Sequence, residues 1–382
     1  MLTDPGTIIS TILKHDSKVT SYKIALLRAI NDGLLSFPDL GSRDVAIPLR
    51  LLAEFWVAYY WPFMDEADPI WQGQRSTRGS QTVQDVAFRP LLTQLRQTWQ
   101  TDHQTLPSPA DGFLLIHDLR IPRKRATHSA ALLKLYQQTL RKICAAIEYP
   151  IQYAGPGGSH WTVFAKPALF QTLQFITDPL PGTQLKDKCL VIPQPLWQTF
   201  RSLSLWVEAL CIHQWCLFTE TTSPSHDRGQ IYRLLTARPD NRRPLTWERN
   251  NIDILLLEGQ HFHCPWTAKR ILTPQAYELD HLMPVSVYPI NELWNLVPAD
   301  PHFNAHIKSN RLPSPTCLEK ARPHLQLAYD RYQGSPPLYQ ALQEDVALRF
   351  PPLAKPENLA HAVVQWLAQV ADSRNLARFD CS

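Results

Sequence analysis

The residue types able to do chemistry concentrate in one stretch, residues 277–313, which carries Asp280-His281, then Asn295, then Asn304 and Lys308. Histidine is the side chain that accepts a proton from water near neutral pH. A carboxylate and an amide carbonyl offer oxygen donors to a cation, and a lysine ammonium is a point charge for an anion. For these groups to meet, the chain between them must turn back on itself. Asp280-His281 end a short apolar strand, Leu293 to Val297 reads as a second strand carrying Asn295, and a helix opens at Asp300-Pro301. Asp caps free amides there, and Pro is tolerated at the first helical position. At α-helical spacing Asn304 and Lys308, four apart, point the same way. The expected local fold is a β-hairpin packed on one helix.

This order resembles the HNH, or ββα-metal, nuclease family. The matching elements are Asp280-His281 followed by Pro284, then Asn295, then a ligand position nine residues later filled by Asn304, with Lys308 one turn on. The resemblance runs from Phe262 to Pro313. It implies hydrolysis of a phosphodiester, which needs a deprotonated water in line with the leaving oxygen and neutralised charge on the phosphate. On that reading His281 takes the proton, Asp280 and Asn304 hold the metal, and Lys308 holds a phosphate. Asn295 bonds the backbone of the loop that carries His281 and fixes its aim. Many relatives place a histidine where this chain has Asn304. Oxygen-only ligands favour Mg²⁺, or Mn²⁺, over Zn²⁺ or Ni²⁺. His302 and His306 sit at metal-like i, i+4 spacing, but fall about 200° round the helix from Asn304; they are expected on the outer face, with His306 the fallback ligand.

With 382 residues and 44% apolar content, two to three domains with real cores are expected. A net charge of +4 permits nucleic acid without demanding it. Seven cysteines without a CxxC pair indicate neither a disulfide scaffold nor a zinc ribbon. Zinc-braced HNH domains use paired cysteine knuckles, whereas Cys264 has Thr267 where its partner would stand, so apolar packing must hold this module. No apolar run of 18 residues and no secretory start occur, so no membrane role is expected and the cytoplasm is the expected compartment.

Around the module the pattern is helical. Ser21 is placed as the cap of an amphipathic helix, and a second helix follows from Pro48 with Leu51, Leu52, Phe55, Trp56, Tyr59 and Tyr60 on one broad core face. A helix is expected over Ala130–Ile147, a hairpin from Ile151 to Phe164, and one long apolar helix from Leu196 to Phe218. Helices over Trp247–Glu258, Leu338–Arg349 and around Leu359–Val370 complete the reading. Two basic runs, Arg123-Lys124-Arg125 and Arg242-Arg243, are candidates for DNA-backbone contact, with Lys308 and Arg311 beside the reacting centre.

The expected fold is mainly α with a small α+β module. Residues 1–219 form a helical recognition or partner domain with a short β-hairpin, 220–229 a linker, 230–315 the nuclease module and 316–382 a C-terminal helical segment. The expected function is a metal-dependent HNH endonuclease acting on DNA. The analogy with stand-alone bacterial HNH proteins adds a restriction or antiviral defence setting and a partner protein from such a system. Two alternatives stay open: a non-catalytic nucleic-acid-binding protein with a relict HNH fold, and a nuclease that cuts RNA.

Overall fold

The computed structural model describes residues 4–74, 77–78, 81–82, 85–103, 107–155, 163–237, 245–285, 287, 291–350 and 358–381. Helix dominates, with several small sheets, so the mainly α expectation holds. The chain divides into two compact units. The first is Met1–Leu119 with Lys124–Arg238; the second is Arg120–Arg123 with Pro239–Ser382. The stretch expected as a linker, 220–229, contains the end of the helix Ser204–Thr222 and the start of Arg228–Thr236, which Asp227 and Gln230 open with a capping box.

The first unit is built on the helices Tyr22–Ser36, Leu49–Tyr60 and Ala130–Tyr153. Trp56, Tyr59 and Tyr60 are at most 2% exposed. Tyr60 meets Phe88 and Trp215 at 5.0 and 5.2 Å between ring centroids, so these rings are core and not a base-stacking platform. Ser21 precedes the first of these helices without capping it; its hydroxyl bonds Tyr60 Oη at 2.8 Å. The four-stranded sheet is mixed. Asp44–Pro48 runs antiparallel to Lys188–Ile192 and parallel to Thr177–Pro179, and Ala168–Leu169 pairs with the outer side of Lys188–Ile192.

Two expectations are corrected here. The hairpin placed from Ile151 does not begin there, because the helix continues through Pro150 to Tyr153. Proline removes one ladder bond, but Ile147, Pro150 and Ile151 are all buried, and that packing holds the extra turn. Residues 156–162 lie outside the described residues. The single helix expected over Leu196–Phe218 is two, Gln194–Ser202 and Ser204–Thr222, broken at Leu203 with φ −107° and ψ 12°. Cys211 and Cys216 are buried in the second of them, and burial pushes the Cys216 thiol up to about 11, as befits core rather than a nucleophile. No helix among the described residues is long and apolar enough to cross a membrane.

The second unit begins with helix α1, Thr246–Leu257. It stops at Gly259, whose φ of +86° is glycine territory; the amides of Gly259 and Gln260 turn back to the carbonyls of Leu256 and Leu255. A two-stranded ribbon follows, β1 (Phe262–His263) with β2 (Arg270–Ile271). Next come β3 (Glu278–His281) and its antiparallel partner β4 (Leu296–Ala299). A single α-turn, α2 (Pro301–Phe303), leads into a π-turn, Asn304–Lys308. Beyond β5 (Leu312–Pro313) lie α3 (Pro315–Tyr332), α4 (Pro336–Arg349) and α5 (Leu359–Arg374), and β6 (Arg378–Phe379) pairs parallel with β5.

The C-terminal helices share one core with the hairpin. Trp294 meets Phe350 and Trp366 edge-on at 5.3 and 5.1 Å. The strand expected from Leu293 begins only at Leu296, after a 3₁₀ turn, Leu293–Asn295, that holds Asn295. Tyr329 and Tyr332 of α3 donate to the carbonyls of Trp294 in that turn and Leu296 of β4 at 2.6 and 2.7 Å, which satisfies these buried acceptors. The scattered cysteines conceal one bonded pair: Cys317 and Cys381 form a disulfide that ties the first turn of α3 to the chain beyond β6.

Candidate functional site

The antiparallel register sets Leu296 opposite His281 and Val297 opposite Asp280. Asp280 and His281 therefore sit at the end of β3 where the chain leaves the hairpin, 3% and 6% exposed. The Asn295 side chain bridges the outgoing loop: its Oδ1 accepts from the Met283 amide at 2.7 Å and its Nδ2 donates to the Met283 carbonyl at 3.3 Å. The loop's far end is also pinned. The Leu293 amide donates to the buried Asp345 carboxylate at 2.8 Å, and Trp294 Nε1 donates to Glu292.

That pinned loop presents Asn291, whose Oδ1 lies 2.7 Å from His281 Nε2. An amide oxygen only accepts, so the bond assigns the ring proton to Nε2 and leaves the Nδ1 lone pair for a proton. Burial holds the His281 imidazole below its ordinary value; the Asn291 bond and the Asp280 charge oppose this, and Lys308 reinforces it.

Both oxygens of Asp280 are engaged. Trp266 Nε1 donates to Oδ2 at 2.9 Å, and Lys308 Nζ to Oδ1 at 2.8 Å. Lys308 also donates to the His281 carbonyl at 2.7 Å, and its side chain is 2% exposed. Its inward aim departs from the expected α-helical spacing. Asp300 caps α2 through the Phe303 amide at 3.1 Å, but the next bond, Ser309 amide to Asn304 carbonyl, spans five residues. A π-turn fits one more residue per turn, so residues four apart no longer stack. Lys308 swings under the hairpin, while Asn304 stays half-buried at the rim with its Nδ2 3.4 Å from Glu278 Oε2.

Glu278 stands two residues before Asp280 on β3, on the same strand face. The donors that Asp280, Glu278 and the Asn304 side-chain carbonyl could offer are all oxygen, although both Asp280 oxygens are bonded to Trp266 and Lys308 here. That set fits a hard divalent ion, which takes one or two carboxylates and keeps waters and substrate oxygens for its remaining positions. Among the described residues no three His, Cys, Asp or Glu side chains converge as a metal cage. His302 and His306 are exposed, with rings 4.8 Å apart, and bond none of these groups.

Of the other basic candidates, Arg123 is held by Asp345 at 2.9 Å and Glu344 at 3.3 Å within the second unit. Lys124, in the first unit, lies 3.3 Å from His117 Nε2 and 4.0 Å from Asp118, and Arg125 is exposed. The Arg311 guanidinium donates to the Ile307 carbonyl. Arg242 and Arg243 lie outside the described residues. Sequence reasoning missed Asn291, Trp266 and Glu278. Strand alternation from Asp280 points to Glu278; no periodicity marks the other two, which tertiary contact alone brings in.

Residues 264–314 match the family model of HNH endonucleases. Residues 3–235 match that of a domain of unknown function, DUF8808. No curated protein and no solved structure matches the chain. The chain thus belongs to the DUF8808 family, and after that domain it carries a segment that matches the HNH endonuclease model, on which the site just described is built.

Proposed function

We propose that the chain is a metal-dependent endonuclease that hydrolyses DNA phosphodiesters. The observation that carries this reading is His281, buried beside Asp280 at the hairpin end with its Nε2 committed to Asn291. A base held in one tautomer at its lowered value is neutral, and so competent, at pH 7. Nδ1 of His281 takes the proton from the attacking water, and Asn291 and Asn295 keep the ring aimed. Asp280 and Asn304 would hold Mg²⁺ or Mn²⁺, with Glu278 adding negative charge at the rim, and such an ion would supply neutralisation of charge on the scissile phosphate. Lys308 braces Asp280 from beneath through their 2.8 Å ion pair. The expected compartment remains the cytoplasm. By analogy with stand-alone HNH proteins the setting is restriction or antiviral defence, with a partner protein of that system.

The test is digestion of supercoiled plasmid and of a structured RNA, with Mg²⁺ and with EDTA. Wild type should cut the plasmid only with the metal, and His281→Ala should lose about 10²–10⁴-fold in rate while keeping its fold. A His281→Ala chain as active as wild type refutes the assignment. Cleavage of RNA alone moves the activity to the second nucleic acid. In the defence setting, His281→Ala should abolish protection in a phage-plaquing assay.

A further inference from the structure

The second unit carries a concentration of basic groups that the site does not use. In the ribbon, Phe262 pairs with Ile271 and His263 with Arg270. Phe262 and Ile271 are at most 1% exposed, so they face the core and the alternate positions face outward. Arg270 is exposed and His263 half-buried on that outer face, and His261, two residues before His263, continues it. The His261 and His263 rings are 5.7 Å apart, and His324 of α3 brings its ring to 5.2 Å from His263. Arg331, two turns further along the same side of α3, is half-buried with its Nε buried and unpartnered.

The charge pattern is one-sided. Several cations elsewhere in this unit are matched, Lys308 by Asp280, Lys269 by Asp300, Arg322 by Glu319 and Arg378 by Asp372. Arg270 and Arg331 form no ion pair among the described residues. Burial lowers the His261 imidazole first, then Arg270, Arg331 and His263 add to it; burial and then His263 lower His324. All these neighbours are cations or become so on protonation. Gathering like charges costs free energy, and a polyanion laid across the face reverses the sign of that cost. The ribbon is tied to the site beneath this face, since the connection between β1 and β2 carries the buried Trp266, which donates to Asp280.

We propose that this face, formed by His261, His263, Arg270, His324 and Arg331, holds the phosphate backbone of the nucleic acid whose scissile bond reaches His281. The inference rests on the nuclease reading and adds where the strand is gripped. Arg270 and Arg331 supply the permanent charge and the three imidazoles supply N–H donors.

The experiment measures binding of a fluorescein-labelled DNA duplex by anisotropy over a KCl series, in a His281→Ala parent that leaves the probe intact. Each phosphate contact contributes about 0.9 to the slope of log K against log salt. The Arg270→Gln/Arg331→Gln pair should therefore reduce the slope by about 1.8, and Arg270→Gln alone, at an exposed position, by about 0.9. Arg270→Lys/Arg331→Lys should keep the parent's slope, since the charge remains. A neutralised pair with the parent's slope overturns the inference while leaving the nuclease reading standing. A wild-type chain that neither binds the duplex nor cuts plasmid overturns both.

Discussion

Replacing Lys308 by methionine tests the centre of the site, because two opposed charges are buried there in direct contact. The ammonium lies 2.8 Å from Asp280 Oδ1, with the two side chains 2% and 4% exposed. Methionine keeps the length and apolar stem but leaves the Asp280 carboxylate buried, with only the Trp266 bond of its two observed donors. Removing one partner of a buried pair costs about 3–5 kcal/mol, because the remaining charge stays desolvated. For a unit of this size each kcal/mol moves the midpoint by about 2–4 °C, so Lys308→Met should melt roughly 6–20 °C below wild type in EDTA. A divalent cation bound at Asp280 would neutralise the orphaned carboxylate. At a hundred times its Kd it would return about 2.7 kcal/mol. Mg²⁺ should therefore raise the midpoint of Lys308→Met more than that of wild type, where the ammonium already shares the carboxylate. Lys308→Met/Asp280→Asn should recover much of the loss in EDTA and respond weakly to Mg²⁺. Thermal unfolding followed by circular dichroism across a Mg²⁺ series reads all three. If Mg²⁺ stabilises Lys308→Met no more than wild type, the cation does not bind Asp280 and the ligand assignment fails.

Cleavage should persist into mildly acidic solution, because burial lowers the His281 imidazole and the neutral base survives below 6.5. In the unfolded chain the same ring takes up its proton first as pH falls. The stability linked to neutral His281 is thus complete above about 6.5 and is lost as pH drops toward the folded value; a pH series of melting points and single-turnover rates should show both limbs. Asn291→Leu removes the bond that fixes the ring. It should cut kcat by about 10–100-fold at little-changed KM, and ¹⁵N spectra of the neutral ring should change from the Nε2–H form to a tautomer mixture; an unchanged spectrum refutes the positioning role. Activity should vanish in EDTA and return with Mg²⁺ or Mn²⁺ but poorly with Zn²⁺, and Asn304→His should shift preference toward Ni²⁺ or Zn²⁺. A wild type that runs best on Zn²⁺ would put an imidazole, His306 first, among the ligands.

The hairpin was legible in the sequence because it depends on neighbours along the chain. The apolar run before Asp280-His281 and the Asp-Pro start of α2 are local signals, whereas the register of β3 on β4, across the connection 282–295, was not legible. The helices were legible for the same reason, through the spacing of residues such as Trp56, Tyr60 and Tyr332. What lay beyond was decided by distance in sequence. Pro150 stays helical because its neighbours are buried, and Cys317 finds Cys381 only after α3, α4 and α5 have packed. The π-turn at Asn304–Lys308 was invisible because nothing in five residues distinguishes it from an α-turn; the buried Asp280 carboxylate draws Lys308 inward and rewards the wider winding. Arg123 resembled a free DNA contact until Asp345, 222 residues away, took its charge. Asn291 carries no periodic mark, yet the fold sets it 2.7 Å from His281. Sequence names the groups that can react, since residue type determines proton affinity and ligand chemistry. Only tertiary packing decides which of those groups are desolvated, paired or aimed, since these depend on atoms that the chain order does not place together.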